Sequence, residues 1–283
     1  MFEAFTRSCK ILREQGLEDS FVETLRLFDL LSGGRLSTID VSRLEEPDLD
    51  LKRIAELRNT GVPMEYIVGR AVFMGMSFHC TPDTLIPRKE TELLVSSTLD
   101  LIRARKNNDG NLAIMELGIG CGNITVALAM NAPNVKIHAS DICPKAVEVA
   151  RKNVISYGLD DRISLSCGNL FAPFDTKEYG ESIDIVVCNP PYIPTGSIEK
   201  MDSAITEHEP ILALDAGAYG IDIFRRLIAG AVPYLKSGGI LIFEIGAGQE
   251  KLVNMLFKKN KAYENVTHTD DGNDVRVISA QKK

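Results

Sequence analysis

Ile183-Asp-Ile-Val-Val-Cys-Asn-Pro-Pro-Tyr192 is an apolar run that stops abruptly at an Asn-Pro-Pro-Tyr motif. Four β-branched residues lie between Ile183 and Val187, which predicts a strand that is buried on both faces of a parallel sheet. Two consecutive prolines cannot continue the hydrogen bonds of a sheet, so the strand should end at Asn189. The stretch therefore places a polar amide at the carboxyl end of a strand, where open parallel sheets bind their ligands.

The Asn-Pro-Pro-Tyr motif offers two hydrogen-bond acceptors, the side-chain oxygen of Asn189 and the backbone carbonyl of Pro190. Pro190 and Pro191 have no N–H and a restricted φ, so this carbonyl should point in one fixed direction. Two acceptors suit the two hydrogens of one NH2 group. The lone pair of an amide or aromatic amine is delocalised, so it must be turned out of conjugation before the nitrogen can attack an electrophile. Tyr192 could pack flat on the planar amide or amine group of the substrate. A Pro-Pro turn capped by Asn189, without any chemistry, is the structural alternative.

The chain around this stretch alternates predicted strands and helices, which indicates a parallel sheet with right-handed crossovers. The predicted strands are Leu112–Leu117, Val135–Ala139, Ile163–Cys167, 183–188 and Ile240–Ile245, and the predicted helices are Ile124–Met130, Pro144–Ile155 and Ile221–Tyr234. The segments Tyr263–Thr269 and Val275–Ser279 flank a turn that contains Asp271-Gly272, which predicts an antiparallel hairpin at the edge of the sheet.

The residues before the sheet divide into further segments. Residues 1–62 show helical periodicity in three stretches and predict a small helical domain. The pattern changes to alternation between Met64 and Thr81, so residues 63–83 predict a β-hairpin linker and residues 84–283 the main α/β domain. The loop Thr84-Leu-Ile-Pro-Arg-Lys-Glu-Thr-Glu92 leads into that domain, and its residues alone favour an extended connector followed by a capped helix.

A glycine-rich loop, Glu116-Leu-Gly-Ile-Gly-Cys-Gly-Asn123, follows the first strand of the predicted sheet. Its glycines let the backbone turn sharply and let a ligand lie against it without meeting a Cβ atom. The spacing is G-x-G-x-G, whereas the dinucleotide fingerprint needs G-x-G-x-x-G, and Asn123 occupies the last position of that fingerprint. A dehydrogenase is therefore the weakest candidate for the activity.

Polar residues end the next two predicted strands. Asp141 could accept both hydroxyl groups of a ribose, although a helix cap before Pro144 would also explain it. Asn169 and Leu170 could frame a base, the first by a hydrogen bond and the second by packing. A glycine loop, an acid and a polar residue on successive strand ends fit an adenosyl group without a pyrophosphate, which predicts S-adenosylmethionine as the cofactor.

The composition is that of a globular protein, with 283 residues, 45% hydrophobic and 25% charged. A net charge of −7 disfavours a broad nucleic-acid-binding surface.

The six cysteines form no CxxC pair, which predicts reduced core residues. The four histidines lack the spacing of metal ligands, so no metal site is predicted. Neither a signal peptide nor a membrane span is expected, which predicts a cytoplasmic protein without a membrane partner, and we expect a monomer.

Three motifs together resemble the HemK/PrmC family of protein glutamine N5-methyltransferases over nearly the whole chain. They are Glu116–Gly122, Asn189–Tyr192 and Thr84–Glu92, and the last is the most discriminating. The resemblance implies a Rossmann-like, seven-stranded S-adenosylmethionine-dependent methyltransferase domain, joined by a β-hairpin to a small helical N-terminal domain. The implied substrate is the glutamine in the Gly-Gly-Gln motif of peptide chain release factors, with the helical domain as the docking surface for the release factor.

The resemblance also implies the roles of individual residues. The implied cofactor-binding residues are Gly118, Ile119, Gly120, Cys121, Gly122, Asp141, Asn169, Leu170 and Asn189. Asn189, Pro190 and Tyr192 would be catalytic, and with Pro191 they would hold the substrate glutamine. The chain departs from the family pattern at Ile119 and Cys121, which replace small hydroxyl residues, at Asn169, where an aspartate is frequent, and at His208, where an aromatic residue is usual.

Other activities stay open from the sequence. A related branch of the family methylates a glutamine of a ribosomal protein. The Asn-Pro-Pro-Tyr motif is shared with DNA and RNA amino-methyltransferases, because adenine and glutamine offer similar NH2 groups, but the acidic composition disfavours a basic groove around Asn189. A partner protein that binds S-adenosylmethionine and transfers nothing is disfavoured by the intact motif. Methylation of release factors is the function that the sequence predicts.

Overall fold

The computed structural model describes residues 2–35, 50–105 and 112–283, and the chain divides into two compact units. The first unit comprises Met1–Pro87 and Met201–Pro210, and the second comprises Arg88–Lys200 and Ile211–Lys283. Part of the predicted helical domain, residues 36–49, lies outside the described residues. Among the helices of the described ranges, none is both long and apolar enough to cross a membrane.

The helices and strands are numbered in chain order. The helices are α1 (Phe2–Glu14), α2 (Ser20–Ser32), α3 (Leu51–Asn59), α4 (Met64–Val68), α5 (Thr91–Ala104), α6 (Asn123–Asn131), α7 (Pro144–Ser156), α8 (Thr176–Tyr179), α9 (Thr195–Ile198), α10 (Ser203–Thr206), α11 (Asp222–Ala231) and α12 (Glu250–Lys259). The strands are β1 (Arg70–Phe73), β2 (Met76–His79), β3 (Leu112–Leu117), β4 (Val135–Asp141), β5 (Ile163–Cys167), β6 (Ile183–Cys188), β7 (Leu235–Glu244), β8 (Tyr263–Asp270) and β9 (Val275–Lys282).

The first unit contains the predicted N-terminal helices, and helix α4 corrects one prediction. Alternation from Met64 to Thr81 predicts a hairpin, but only β1 and β2 pair as antiparallel strands, and Met64–Val68 is helical. Pro63 precedes this helix, and Gly69 ends it in the left-handed conformation with φ of 72°. Met64 is fully buried in the helical core, so its apolar character serves helix packing rather than a strand face.

The second unit contains the predicted sheet, with strand order β5-β4-β3-β6-β7-β9-β8. The first five strands of this order are parallel, and β9 pairs antiparallel with both β7 and β8, which confirms the predicted C-terminal hairpin at the edge. Strand β7 begins five residues before its predicted start at Ile240, and helix α12 has no counterpart in the sequence-based prediction.

The register of the sheet aligns the carboxyl ends of the five parallel strands. Leu117 at the end of β3 pairs with Ser140 of β4 and with Cys188 of β6. Cys188 pairs in turn with Phe243 of β7. The chain runs outward from β3 in one direction through β4 and β5, and in the other through β6 and β7. The crevice between β3 and β6 is therefore the topological switch point, where such sheets bind ligands.

The cysteines only partly match the expectation of reduced core residues. All six are free thiols, and Cys9, Cys80, Cys121 and Cys188 are buried. Cys143 is half-buried and Cys167 is exposed, so the core assignment is wrong for these two. Both lie at or just beyond a strand's carboxyl end, where the chain leaves the sheet and an apolar strand pattern no longer guarantees burial.

Candidate active site

The glycine loop and the Asn-Pro-Pro-Tyr motif meet at the switch point. Gly118 and Asn189 directly follow the paired residues Leu117 and Cys188. A Cβ atom built on Gly118 would lie 3.9 Å from the backbone oxygen of Asn189. Residues 118–122 and 189–192, which are far apart in the sequence, therefore border the same crevice.

The glycine loop is anchored to β4 and leaves open space at its centre. The backbone N–H groups of Gly118 and Ile119 donate to the Ser140 carbonyl at 2.8 and 3.0 Å. A Cβ atom on Gly122 would lie 3.4 Å from that of Ala150, so this glycine allows α7 to approach closely. At Gly120, with φ of 55°, an added Cβ would meet no atom within 4 Å, as expected where a ligand lies against bare backbone.

The carboxylate of Asp141 braces this loop. Its Oδ2 accepts a hydrogen bond from the Gly120 N–H at 2.9 Å, and its Oδ1 accepts one from the Cys143 N–H at 2.9 Å. Burial raises the pKa of Asp141, against the opposing effect of these backbone hydrogen bonds. Cys143 is the N-cap residue of α7, and this helix has no side-chain capping bond, so Asp141 is not its cap. Asp141 instead closes a local turn at Cys143 and binds the glycine loop directly.

The side chains of Ile119 and Cys121 face the protein interior. Ile119 packs with Ala139 and Ala150 in a small core cluster. The Cys121 thiol is buried and donates to Asn123 Oδ1 at 3.5 Å. Only the backbone of these two residues is available to a ligand, so their departure from the family's small hydroxyl residues changes core packing rather than the polar groups offered to a cofactor.

Asn169 and Leu170 follow β5 in a tight turn. Leu170 has a positive φ of 52°, and its carbonyl accepts a hydrogen bond from the Ser140 hydroxyl at 3.0 Å. Asn169 is exposed, and its Oδ1 accepts from Arg226 Nη2 at 2.7 Å. The amide oxygen at this position is therefore already engaged by a cation, and its NH2 group remains the part that could meet a base.

The Asn189 amide is tied into a buried polar network. Its Nδ2 donates to Thr91 Oγ1 at 2.9 Å, and the Thr91 hydroxyl donates to Glu244 Oε2 at 2.8 Å. The Tyr192 hydroxyl donates to Glu244 Oε1 at 3.2 Å, and burial raises the pKa of Tyr192 to about 12, so this phenol stays protonated. Within the described part of the chain, no donor occupies Asn189 Oδ1 or the Pro190 carbonyl.

The sequence-based prediction gave no role to four residues of this site, Thr91, Glu116, Glu244 and Gln249, although Thr91 and Glu116 lie within motifs that carry the family resemblance. Gln249 holds the motif from behind, since its Nε2 donates to the Tyr192 carbonyl and its Oε1 accepts from the Gly246 N–H, both at 2.8 Å. Glu116 is the last residue but one of strand β3, Glu244 is the last residue of β7, and both are fully buried. An acid inside a buried apolar run is costly to bury, and this was the signal available in the sequence.

Glu116 gives a test of whether these residues suit S-adenosylmethionine. Its Oε2 accepts a hydrogen bond from the Thr125 hydroxyl, whereas its buried Oε1 has no partner among the described residues. Glu116 lies two residues before Gly118, and the Asp141 charge acts on it. A buried polar oxygen without a partner, two residues before an open glycine loop, suits a polar ligand, so Glu116, Asp141 and the loop backbone would hold the cofactor.

A pH dependence of stability follows from Glu116. Burial raises its pKa from 4.5 to about 8, so the folded protein keeps this proton over a range in which the unfolded chain has lost it. The free energy of unfolding should therefore fall as the pH rises from about 4.5 to about 8, by up to about 1.4 kcal/mol per pH unit. Glutamine does not titrate, so Glu116→Gln should not lose stability in this way. Without cofactor, the melting temperature of Glu116→Gln minus that of the wild type should therefore increase steadily between pH 5 and pH 8.

The control for this measurement is Glu56→Gln, which changes an exposed glutamate in the first unit. Its melting temperature should follow that of the wild type at every pH. A constant difference between Glu116→Gln and wild type across the range would show that Glu116 is ionised in the folded protein.

Comparisons with known proteins agree with this geometry. A family model described as "Methyltransferase domain" matches residues 108–282. The release factor glutamine methyltransferase of Geobacter sulfurreducens is 31% identical over 274 residues, which cover 95% of this chain and 92% of that protein. The protein of the same name from Clostridium acetobutylicum is 30% identical, with coverage of 98% and 97%.

Solved structures support the fold. The N-terminal domain of human METTL16 in complex with SAH has a TM-score of 0.54 at 18% identity, and covers 83% of this chain and 84% of that one. This likeness, together with the family model, confirms the predicted Rossmann-like methyltransferase fold. From its similarity to the named relatives over almost its full length, the chain belongs to the release factor glutamine methyltransferase family.

Proposed function

We propose that the chain transfers a methyl group from S-adenosylmethionine to the side-chain amide nitrogen, N5, of the glutamine in the Gly-Gly-Gln motif of release factors. The observation that carries this proposal is the pair of free acceptors, Asn189 Oδ1 and the Pro190 carbonyl, beside an open glycine loop at the switch point. S-adenosylmethionine supplies a methyl group on a positively charged sulfur. A substrate in translation termination also fits the predicted cytoplasmic location.

Asn189 and Pro190 orient the substrate amide. Each of their oxygens accepts one N–H of the glutamine, so the nitrogen lone pair is turned away from its own carbonyl and toward the methyl group. The Tyr192 ring packs on the planar amide while its hydroxyl stays bound to Glu244. Orientation of this kind can supply about 7–11 kcal/mol of barrier lowering, so positioning is the main catalytic contribution of the chain.

The reaction needs no dedicated base. An amide nitrogen that has gained a methyl group while it still carries both hydrogens is strongly acidic and releases a proton to water. Glu244 is the nearest carboxylate to the Asn-Pro-Pro-Tyr motif by hydrogen bonding, but both of its oxygens accept hydrogen bonds, from Thr91 and from Tyr192, and its side chain is fully buried. Its role is therefore structural support of the motif.

The proposed docking role of residues 1–62 has one supporting observation. Helix α2 exposes four apolar side chains, Phe21, Val22, Leu25 and Leu31, of which Phe21 is 58% exposed. The core of the unit instead receives Leu27 and Leu30 from this helix. An apolar strip on the outside of a small helical unit is a surface that a protein substrate could cover.

The function is tested by locating the transferred methyl group. Purified protein is incubated with labelled S-adenosylmethionine and, separately, with a release factor, with its Gln→Ala variant in Gly-Gly-Gln, and with bulk nucleic acid. We expect label on that glutamine alone, identified by mass spectrometry. Label on nucleic acid would instead assign the chain to the amino-methyltransferases of bases, and label on another protein's glutamine would replace the substrate.

A further inference from the structure

The network behind Asn189 determines which end of its amide faces the crevice. Thr91 and Glu244 are almost completely buried, at 1% and 0% exposure, so water does not compete for their hydrogen bonds. Burial raises the pKa of Glu244, whereas the hydrogen bond from Thr91, the charge of Arg276 and the hydrogen bond from Tyr192 lower it and favour the carboxylate. A carboxylate only accepts hydrogen bonds, so the single proton of the Thr91 hydroxyl is donated to Glu244. Thr91 Oγ1 can then only accept from Asn189, and it therefore selects the NH2 end of that amide.

The opposite end of the amide is thereby turned toward the substrate. An asparagine amide has an oxygen and a nitrogen of nearly equal size, and only its hydrogen bonds distinguish its two orientations. If the amide were reversed, its NH2 group would face the NH2 group of the substrate, and two donors cannot bind each other. One buried acid also holds the second substrate-facing side chain, because Tyr192 donates to the other oxygen of Glu244.

We propose that Thr91 and Glu244 are positioning residues for methyl transfer, which fix the Asn189 amide with its oxygen toward the substrate NH2 group. This inference rests on the proposed function and deepens it, since it assigns the orientation of the catalytic amide to a helix and a strand outside the Asn-Pro-Pro-Tyr motif. Thr91 begins α5 and Glu244 ends β7. The side chain of Glu90, the N-cap residue of α5, makes no capping hydrogen bond. The Thr91 hydroxyl also does not cap the helix, because it donates to Glu244 at the end of β7.

The test compares three substitutions in helix α5. Thr91→Val keeps the shape of the side chain but removes the acceptor for Asn189, whereas Thr91→Ser keeps the hydroxyl. Thr98→Val is the matched control, because Thr98 is equally buried in the same helix and its hydroxyl donates only to the Leu94 carbonyl one turn earlier. Methylation of a release factor is measured for each variant, together with the affinity for S-adenosylmethionine and the melting temperature.

We expect kcat to fall about tenfold or more in Thr91→Val, while KM for the release factor and the Kd for S-adenosylmethionine change less than about threefold. Thr91→Ser should restore most of the lost kcat, and Thr98→Val should match the wild type. A Thr91→Val enzyme with wild-type kcat would overturn the proposal. So would an equal loss in Thr98→Val, because the effect would then come from helix stability.

A second measurement tests the orientation of the Asn189 amide in the absence of substrate. In a spectrum of the 15N-labelled full chain, the side-chain NH2 signals of Asn189 are identified by their absence from Asn189→Ala. Their exchange with solvent should be slow in wild type, Thr91→Ser and Thr98→Val, and at least about tenfold faster in Thr91→Val. Equal exchange in all four proteins would overturn the positioning role. Absence of methylation by the wild type would instead count against the proposed function, while this signal still reports on the amide.

Discussion

Asn189→Ala should reduce kcat for methylation of a release factor at least about 1000-fold, which corresponds to about 4 kcal/mol of lost transition-state stabilisation. The substitution removes one of the two acceptors that orient the substrate amide, and the remaining Pro190 carbonyl cannot fix the plane of that amide alone. The fold should persist, because Asn189 is only partly buried and its single side-chain hydrogen bond goes to Thr91. Affinity for S-adenosylmethionine should fall about tenfold at most.

Single-turnover kinetics with a release factor measure this effect, and calorimetric titration gives the cofactor affinity. Asn131→Ala is the control, since it removes an asparagine whose Nδ2 donates to a carbonyl in its own helix, α6. That variant should retain wild-type turnover. If Asn189→Ala methylated at a near wild-type rate, the Asn-Pro-Pro-Tyr motif would not hold the substrate.

Asp141→Ala should weaken the binding of S-adenosylmethionine about 100-fold, or about 2.7 kcal/mol. The carboxylate is the predicted acceptor for the ribose hydroxyls, and it also binds the Gly120 N–H at the centre of the glycine loop. Removing the carboxylate removes its predicted contact with the ribose. It also removes the hydrogen bond that holds Gly120, so the glycine loop can move away from the conformation that binds the cofactor. A hydrogen bond to a charged group contributes about 1.5–3 kcal/mol, so losing these contacts is enough for the expected change.

Asp175→Ala separates this role from the closing of a local turn. Asp175 accepts from the Lys177 N–H at the start of α8, in the same local pattern that joins Asp141 to Cys143. Thermal stability should fall more in Asp141→Ala, which also loses the hydrogen bond to Gly120, and only Asp141→Ala should change the Kd for S-adenosylmethionine in a calorimetric titration. Equal cofactor affinities would leave Asp141 as a turn-capping residue.

Much of the sheet and part of the site were predictable from local patterns. The buried strands β3 and β6 are largely apolar runs, and their predicted bounds match the structure, as do those of the more exposed strand β5. Residues directly after parallel strands lie at one edge of the sheet, and the sequence placed both Asn189 and the glycine loop directly after predicted strands. The departure of α4 from the predicted hairpin arises because Pro63 and Gly69 set the boundaries of a turn of helix that is too short to show a period.

The supporting residues were not predictable in the same way. Thr91 and Glu244 are 153 positions apart, and their contact depends on the packing of α5 near the end of β7. No spacing rule connects a threonine at a helix start with a glutamate at a strand end. Glu116 lies in a recognised motif and Glu244 is an acid at the end of an apolar run, but neither pattern reveals the partner of a buried acid. Long-range pairing of this kind follows from tertiary packing, not from local sequence.

The position of β9 between β7 and β8 has a consequence for the assembly of the catalytic centre during synthesis. Strand β7 carries Glu244, and its second edge is covered only by β9, with Glu244 paired to Val277. Until residues 275–282 have been made, β7 remains an open apolar edge, which invites pairing with other chains. Because β9 is the last strand of the sheet in chain order, the acid that supports Asn189 and Tyr192 is among the last parts of the sheet to be secured during synthesis. A newly made chain therefore becomes competent for methyl transfer only after its final hairpin has closed.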